Sequence, residues 1–191
     1  MLMNKRIKKN SKVNINQIPV IPLERTTIHN KKDVKYIDHT CHNTPGDANS
    51  GKYVIKVPVY DSGHPEEWIN FVELINKCLV GQNITTGPAM YTVVQRALEG
   101  DAKAQFNMQT AAHGNQTVIN FKNVMATMTA HIFPRYALRD QKRYLTRFCH
   151  KPLYMKVRAF VTRLTQLNHY LSSFPPDTPG QEVEILSLIH I

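Results

Sequence analysis

A chain of 191 residues with 42% hydrophobic and 20% charged residues has the length and balance of one compact domain with a tail. No run approaches the ~18–20 uninterrupted apolar residues of a membrane span, and the Lys/Arg-rich start is not followed by the apolar core of a secretory signal. The expectation is therefore a soluble intracellular protein, cytoplasmic with the nucleus as the alternative, whose formal charge of +10 points to a polyanionic partner such as RNA, DNA or an acidic membrane surface.

Residues 1–52 mix Lys, Asn, Pro and Thr without helical periodicity and are expected to form a disordered basic N-terminal arm. Lys5, Arg6, Lys8, Lys9 and Lys12 are its candidate nucleic-acid contacts, set against the plainer reading of a solvated tail without a ligand. Tyr53 to Tyr60 is β-branched, but Pro58 removes a backbone donor and restricts the segment to an edge or an extended lead-in.

A helical domain is expected over 53–176. Pro65 fits a first helical position, with Glu66 and Glu67 in the turn where the helix dipole favours acids. Trp68, Phe71, Val72, Ile75 and Leu79 then share one face until Gly81. Thr86 or Gly87 caps the next helix, with Pro88 as its first residue and Tyr91, Val94 and Leu98 as its stripe. Gly100 ends it, and Asp101 is expected to cap a helix whose apolar face is Ala102, Ala104 and Phe106. A further period runs Val118, Phe121, Met125, Met128 and Ile132 and breaks at Phe133-Pro134; its methionines read as core filling.

Tyr136 to His150 carries Leu138, Gln141, Leu145 and Phe148 on one face and Arg135, Arg139, Lys142, Arg143 and Arg147 on the other. Asp140 is the only local acid, so these five cations suit successive phosphates, or else balance acids on a neighbouring subunit. Arg158 and Arg163 extend that surface. After Lys151-Pro152, the residues Val157, Phe160, Val161, Leu164, Leu167 and Leu171 define a last helix. Trp68, Phe71, Phe121, Leu145, Phe160 and Leu164 are the expected core.

Other chemistries are weaker. Asp61-Ser62-Gly63 matches the aspartic-protease signature, yet His64-Pro65-Glu66-Glu67 then opens a helix rather than continuing a β fold, which favours a turn and cap. His39-Thr40-Cys41-His42 offers soft metal ligands without the second cluster that a tetrahedral site needs, so a solvated polar loop is expected. Cys149 and His150 are adjacent in a helix and point apart. Cys41, Cys78 and Cys149 lack CxxC spacing, which suggests neither a disulfide framework nor a zinc site. No catalytic residue, metal, cofactor or small-molecule substrate is expected.

Several motifs, taken in order, resemble the Gag-like proteins of long-terminal-repeat retrotransposons over about Val57 to Pro176. They are Gly63-His64-Pro65-Glu66-Glu67-Trp68, Gly81-Gln82-Asn83-Ile84-Thr85-Thr86-Gly87-Pro88, Leu98-Glu99-Gly100-Asp101-Ala102, His131-Ile132-Phe133-Pro134, Gln141-Lys142-Arg143-Tyr144-Leu145-Thr146-Arg147-Phe148, Lys151-Pro152 and Phe174-Pro175-Pro176. The resemblance implies an all-α capsid-like bundle whose copies assemble and package RNA without base specificity, and no catalytic residues carry over. The composition above agrees with about five or six helices. The zinc knuckle that often follows in such chains is not matched, so RNA binding would rest on basic patches. The alternative is a non-assembling nucleic-acid-binding module derived from Gag. Residues 177–191 are expected to be a truncated or artefactual tail, since Leu186-Ser187-Leu188-Ile189-His190-Ile191 resembles adaptor-derived ends.

Overall fold

The computed structural model describes residues 20–23, 35–42, 49–61 and 63–177. Along them run β1 (Tyr36–His42), β2 (Lys52–Pro58), α1 (Pro65–Gly81), α2 (Gly87–Ala97), α3 (Gly100–His113), α4 (Val118–Ile132), α5 (Ala137–Arg147) and α6 (Val157–Tyr170), closed by a short 3-10 turn at Leu171–Ser173. The architecture is mostly helical, as expected, but it is not purely α. Strand β1, which lies inside the stretch expected to be a disordered arm, pairs antiparallel with β2 from Tyr36↔Pro58 to His42↔Lys52. The remaining residues of that stretch, apart from 20–23, Lys35 and 49–52, lie outside the described residues.

The hairpin corrects two expectations. Tyr53 to Tyr60 is a paired strand for most of its length rather than a bare lead-in, with Pro58 at the end of the ladder where its missing donor costs least. His39-Thr40-Cys41-His42 is strand rather than solvated loop: Ile37, His39 and Cys41 turn inward while Tyr36, Asp38 and Thr40 stay exposed. His39 is buried, and its Nδ1 lies 3.5 Å from an Arg96 guanidinium nitrogen. Burial, and then the Arg96 charge, hold its pKa below the usual 6.5.

Helix α1 begins as its sequence dictates. His64 Nδ1 accepts from the Glu66 N–H while the Glu67 carboxylate accepts from the His64 N–H at 3.2 Å, and Pro65 opens the helix. Helix α2 follows an extended Thr86, with Gly87 rather than Pro88 as its first residue. Gly87 lies so close to the α3–α4 loop that a Cβ there would fall 2.0 Å from the Gln116 carbonyl oxygen. Helix α3 is not capped by Asp101, which sits in its first turn; Glu99 is the N-cap residue and makes no side-chain cap bond. Thr117 caps α4 by accepting from the Asn120 N–H at 3.1 Å.

Two aromatic groups stand at the centre of the α1–α4 core. Tyr60 meets Trp68 edge-on at 5.1 Å, with Phe71 5.4 Å from Trp68. Tyr91 stands between Phe106 at 5.8 Å and Phe121 at 5.4 Å. Helix α4 packs against α1, α2 and α3, and the Trp68 indole N–H donates to Thr129 Oγ1 at 3.0 Å across the α1–α4 contact. Burial raises the Tyr60 phenol to about 12, with the Glu67 charge adding to it, so the ring stays neutral. Of the six expected core residues, Trp68, Phe71, Phe121, Leu145 and Leu164 are buried and Phe160 is half-buried.

Helix α6 is attached by polar contacts as well as by Leu164 and Leu167. Arg163 grips Glu66 through two nitrogens at 2.5 and 3.0 Å, and Glu66 is only 1% exposed. The chain of contacts continues from Arg163 to Gln166 at 2.9 Å, from Gln166 to the Tyr170 hydroxyl at 2.7 Å, and from that hydroxyl to Asn70 at 3.0 Å. Glu66 therefore does more than answer the helix dipole: it is the buried counter-charge that fixes α6 on α1.

Candidate nucleic-acid and assembly interface

Helix α5 starts at a residue held in an uncommon conformation. Tyr136 has φ 63°, the left-handed region that a bulky side chain adopts at a cost of about 1–2 kcal/mol. From there Leu138, Gln141 and Leu145 point inward and are buried. Arg139 and Arg147 are exposed, and Lys142 and Arg143 half-buried, at three- and four-residue steps along α5. Arg135, expected on the same face, is exposed in the turn before the helix. Asp140 reaches Arg139 and Arg143 only at 3.6 Å each, and these partly exposed pairs are weak.

The strained Tyr136 places its ring against that stripe, with the Arg135 and Arg139 guanidinium carbons 4.8 and 4.3 Å from its centroid. An aromatic face beside guanidinium groups is the composition on which unpaired bases stack. The sequence did not single out Tyr136; the signal for its contacts was an aromatic residue with Arg one position before it and three after.

Beyond α5 the surface becomes apolar. Phe148 is partly exposed, Leu153 is fully exposed, and Tyr154, Val157 and Val161 are 75%, 65% and 53% exposed. Val157 and Val161 were expected on the apolar period of the last helix, and the structure leaves both exposed. Phe160, Leu164 and Leu167 form the covered stripe of α6, continued by Leu171 in the 3-10 turn, and the two valines flank it on the open side. Lys151, Lys156 and Arg158 border the strip and are exposed. Exposed apolar residues that follow a basic stripe in the chain are a composition met at interaction surfaces.

The other sequence candidates fall elsewhere. Lys5, Arg6, Lys8, Lys9 and Lys12 lie outside the described residues. Arg163 does not extend the basic surface, because Glu66 holds it. Asp61 is exposed in the turn before α1, its carboxylate close to Gly100, while Ser62 lies outside the described residues. Burial pushes the Cys149 thiol up, against a hydrogen bond from Tyr144 that pulls it down, so it is not an activated thiolate. Cys78 is likewise raised by burial and by the nearby Cys41. Among the described residues, no group of three or more His, Cys, Asp or Glu side chains is placed to hold a metal ion, and no helix is long and apolar enough to cross a membrane.

Compared with models of protein families, with curated proteins and with solved structures, the chain matches none of them.

Proposed function

We propose that this chain is a Gag-like capsid subunit of a long-terminal-repeat retrotransposon, a structural protein that associates with copies of itself and holds RNA in the cytoplasm without reading its bases. The observation that carries this reading is the junction of the α5 basic stripe with the exposed apolar strip Leu153, Tyr154, Val157 and Val161. The stripe suits phosphates, and the Tyr136 ring among its guanidiniums suits unpaired bases. The strip offers apolar area for a subunit contact, and the exposed Asp61 and Asp101 supply the opposite charge that a repeated head-to-tail contact needs. The order of motifs from Val57 to Pro176 adds independent support.

Light scattering coupled to size-exclusion chromatography, with and without single-stranded RNA at low and moderate salt, tests this reading. Large oligomers or particles promoted by RNA are expected. A monomer under every condition overturns assembly. If that monomer also binds RNA with a steep salt dependence, the chain is a non-assembling nucleic-acid-binding module, the reading that the basic stripe favours by itself.

A further inference from the structure

A short segment more than 100 residues before α5 and α6 in sequence is buried against them. Ile21 is fully buried and Leu23 nearly so. The main chain around them is satisfied by side chains. The Gln141 amide, itself 0% exposed, accepts the Ile21 N–H at 2.9 Å and donates to the Ile21 carbonyl at 2.8 Å. The Tyr144 hydroxyl accepts the Leu23 N–H at 3.1 Å. Arg163, oriented by Glu66, donates to the Pro22 carbonyl at 3.2 Å. Pro22 has no N–H to place.

Four main-chain groups over three residues are thus met by three side chains from two helices. That is how a protein binds a peptide, not how it builds a helix or a sheet. A buried amide that spends both its ends on one residue's N–H and C=O would be left with two unpaired polar groups if the segment departed and nothing replaced it, which is costly in a dry site. The cleft therefore requires an occupant. Its demands are an aliphatic residue on each side of a proline and a main chain in register with Gln141.

We propose that the cleft formed by Gln141, Tyr144 and the Arg163–Glu66 pair is a peptide-binding groove for an Ile-Pro-Leu segment, filled by residues 20–23 within one chain and by the same segment of a second copy when subunits associate. The groove stands independently of the function proposed above; the exchange between copies rests on it. Two observations favour the second copy as the occupant in trans. Twelve residue steps separate Leu23 from Lys35, a connection that reaches at most about 40–43 Å when fully extended, on the order of the diameter of a domain this size. The sequence also carries the motif twice in succession, Ile18-Pro19-Val20 and Ile21-Pro22-Leu23, so each copy carries two sequences that meet the groove's demands. Exchange of an identical element between protomers is a low-cost route to oligomers.

The test uses the full chain. In one variant, Ile21→Asp with Leu23→Asp empties the groove. A labelled synthetic peptide spanning Gln17 to Arg25 is expected to bind this variant saturably, and at least tenfold more tightly than it binds the wild-type chain, whose own segment competes. Adding Gln141→Leu is expected to abolish that binding. A second variant carries Gln141→Leu with Tyr144→Phe and keeps its segment. Each variant alone is expected to be monomeric by light scattering, and their mixture to form a one-to-one dimer, segment from one and groove from the other.

Absence of peptide binding by a variant that circular dichroism shows to be helical overturns the groove. Peptide binding without dimer in the mixture overturns the exchange and leaves the groove. RNA-promoted particles formed equally well by both variants overturn the exchange while sparing the capsid reading. Where the aspartates unfold the chain, Ile21→Ala with Leu23→Ala is read by the same criteria.

Discussion

The half of the molecule built from α1 to α4 and the half built from α5 and α6 bury their residues by different means. Around α1–α4, burial is a matter of shape: Trp68 and Phe71 fill the space behind Tyr60, Tyr91 is lodged between Phe106 and Phe121, and an indole hydrogen bond from Trp68 to Thr129 joins α1 to α4. Around α5–α6, burial depends on directed polar contacts, from Glu66 and Arg163 through Gln166 and Tyr170 to Asn70, and from Gln141 to the main chain of Ile21. The outer surfaces of this second half also stay apolar and basic. Shape-filled cores tolerate volume-conserving change, whereas a buried polar network fails when one member is lost. The half that carries the candidate interface is therefore also the half most sensitive to single polar substitutions.

The largest expected effect is the loss of a network member. Glu66→Ala leaves the Arg163 charge nearly buried and unpaired, and should cost about 3–5 kcal/mol in urea unfolding. A loss below about 1 kcal/mol, the range of exposed pairs, would erase the distinction between the halves. In the shape-filled half, Gly87→Ala drives a methyl group into the Gln116 carbonyl, a backbone atom that cannot swing away, with an expected cost of about 1–3 kcal/mol. An unchanged Tm would show that the loop yields freely.

Function and stability should separate at Tyr136. Tyr136→Ala is expected to weaken single-stranded RNA binding by about 1–3 kcal/mol with no loss of fold, because it removes a stacking face and a bulky residue from a left-handed position. Equal affinity of the variant and wild type in a filter-binding titration would remove Tyr136 from the interface. Arg147→Ala should lower the slope of log affinity against log salt by about 0.7.

A smaller, pH-dependent effect belongs to the hairpin. The folded pKa of His39 lies below its unfolded 6.5, so the unfolded chain takes up the proton first. The stability that neutral His39 contributes is fully present above pH 6.5 and is lost as pH falls through the lowered folded value. Thermal melts between pH 7.5 and 5 should show this decline, and His39→Gln should flatten it; parallel curves for the two proteins would assign the acid sensitivity elsewhere. The smallest effect on stability is expected from Val157→Ser with Val161→Ser, within about 0.5 kcal/mol because both are exposed. The same pair should reduce oligomer size in light scattering, and unchanged size would free this strip from any part in association.

How legible these features were depends on what kind of physics wrote them. Helices α1, α2, α4, α5 and α6 follow from three- and four-residue periodicity and from Pro and Gly at their ends, and the spacing of Arg139, Lys142, Arg143 and Arg147 along α5 was readable with them, while Arg135 falls in the turn before the helix. The hairpin was not, because His39 occupies an inward position of β1 and reads as polar, which hides the alternation of Ile37, His39 and Cys41. Val157 and Val161 fit the helical period of α6, and periodicity does not say which edge of a stripe its neighbours will cover. Gln141 on an otherwise apolar stripe was the one visible trace of the groove; the partner it serves lies 120 residues away and leaves no periodic mark.

That separation fixes an order of events during synthesis. The Ile21 segment leaves the ribosome well before Gln141, Tyr144 and Arg163, which follow roughly 120–140 residues later, an interval of about 6–28 s at ordinary translation rates. Throughout it the segment has no groove of its own. On a polysome, the grooves already complete belong to chains further along the same messenger, so the first pairing open to a nascent subunit is with a sister copy translated from the same RNA.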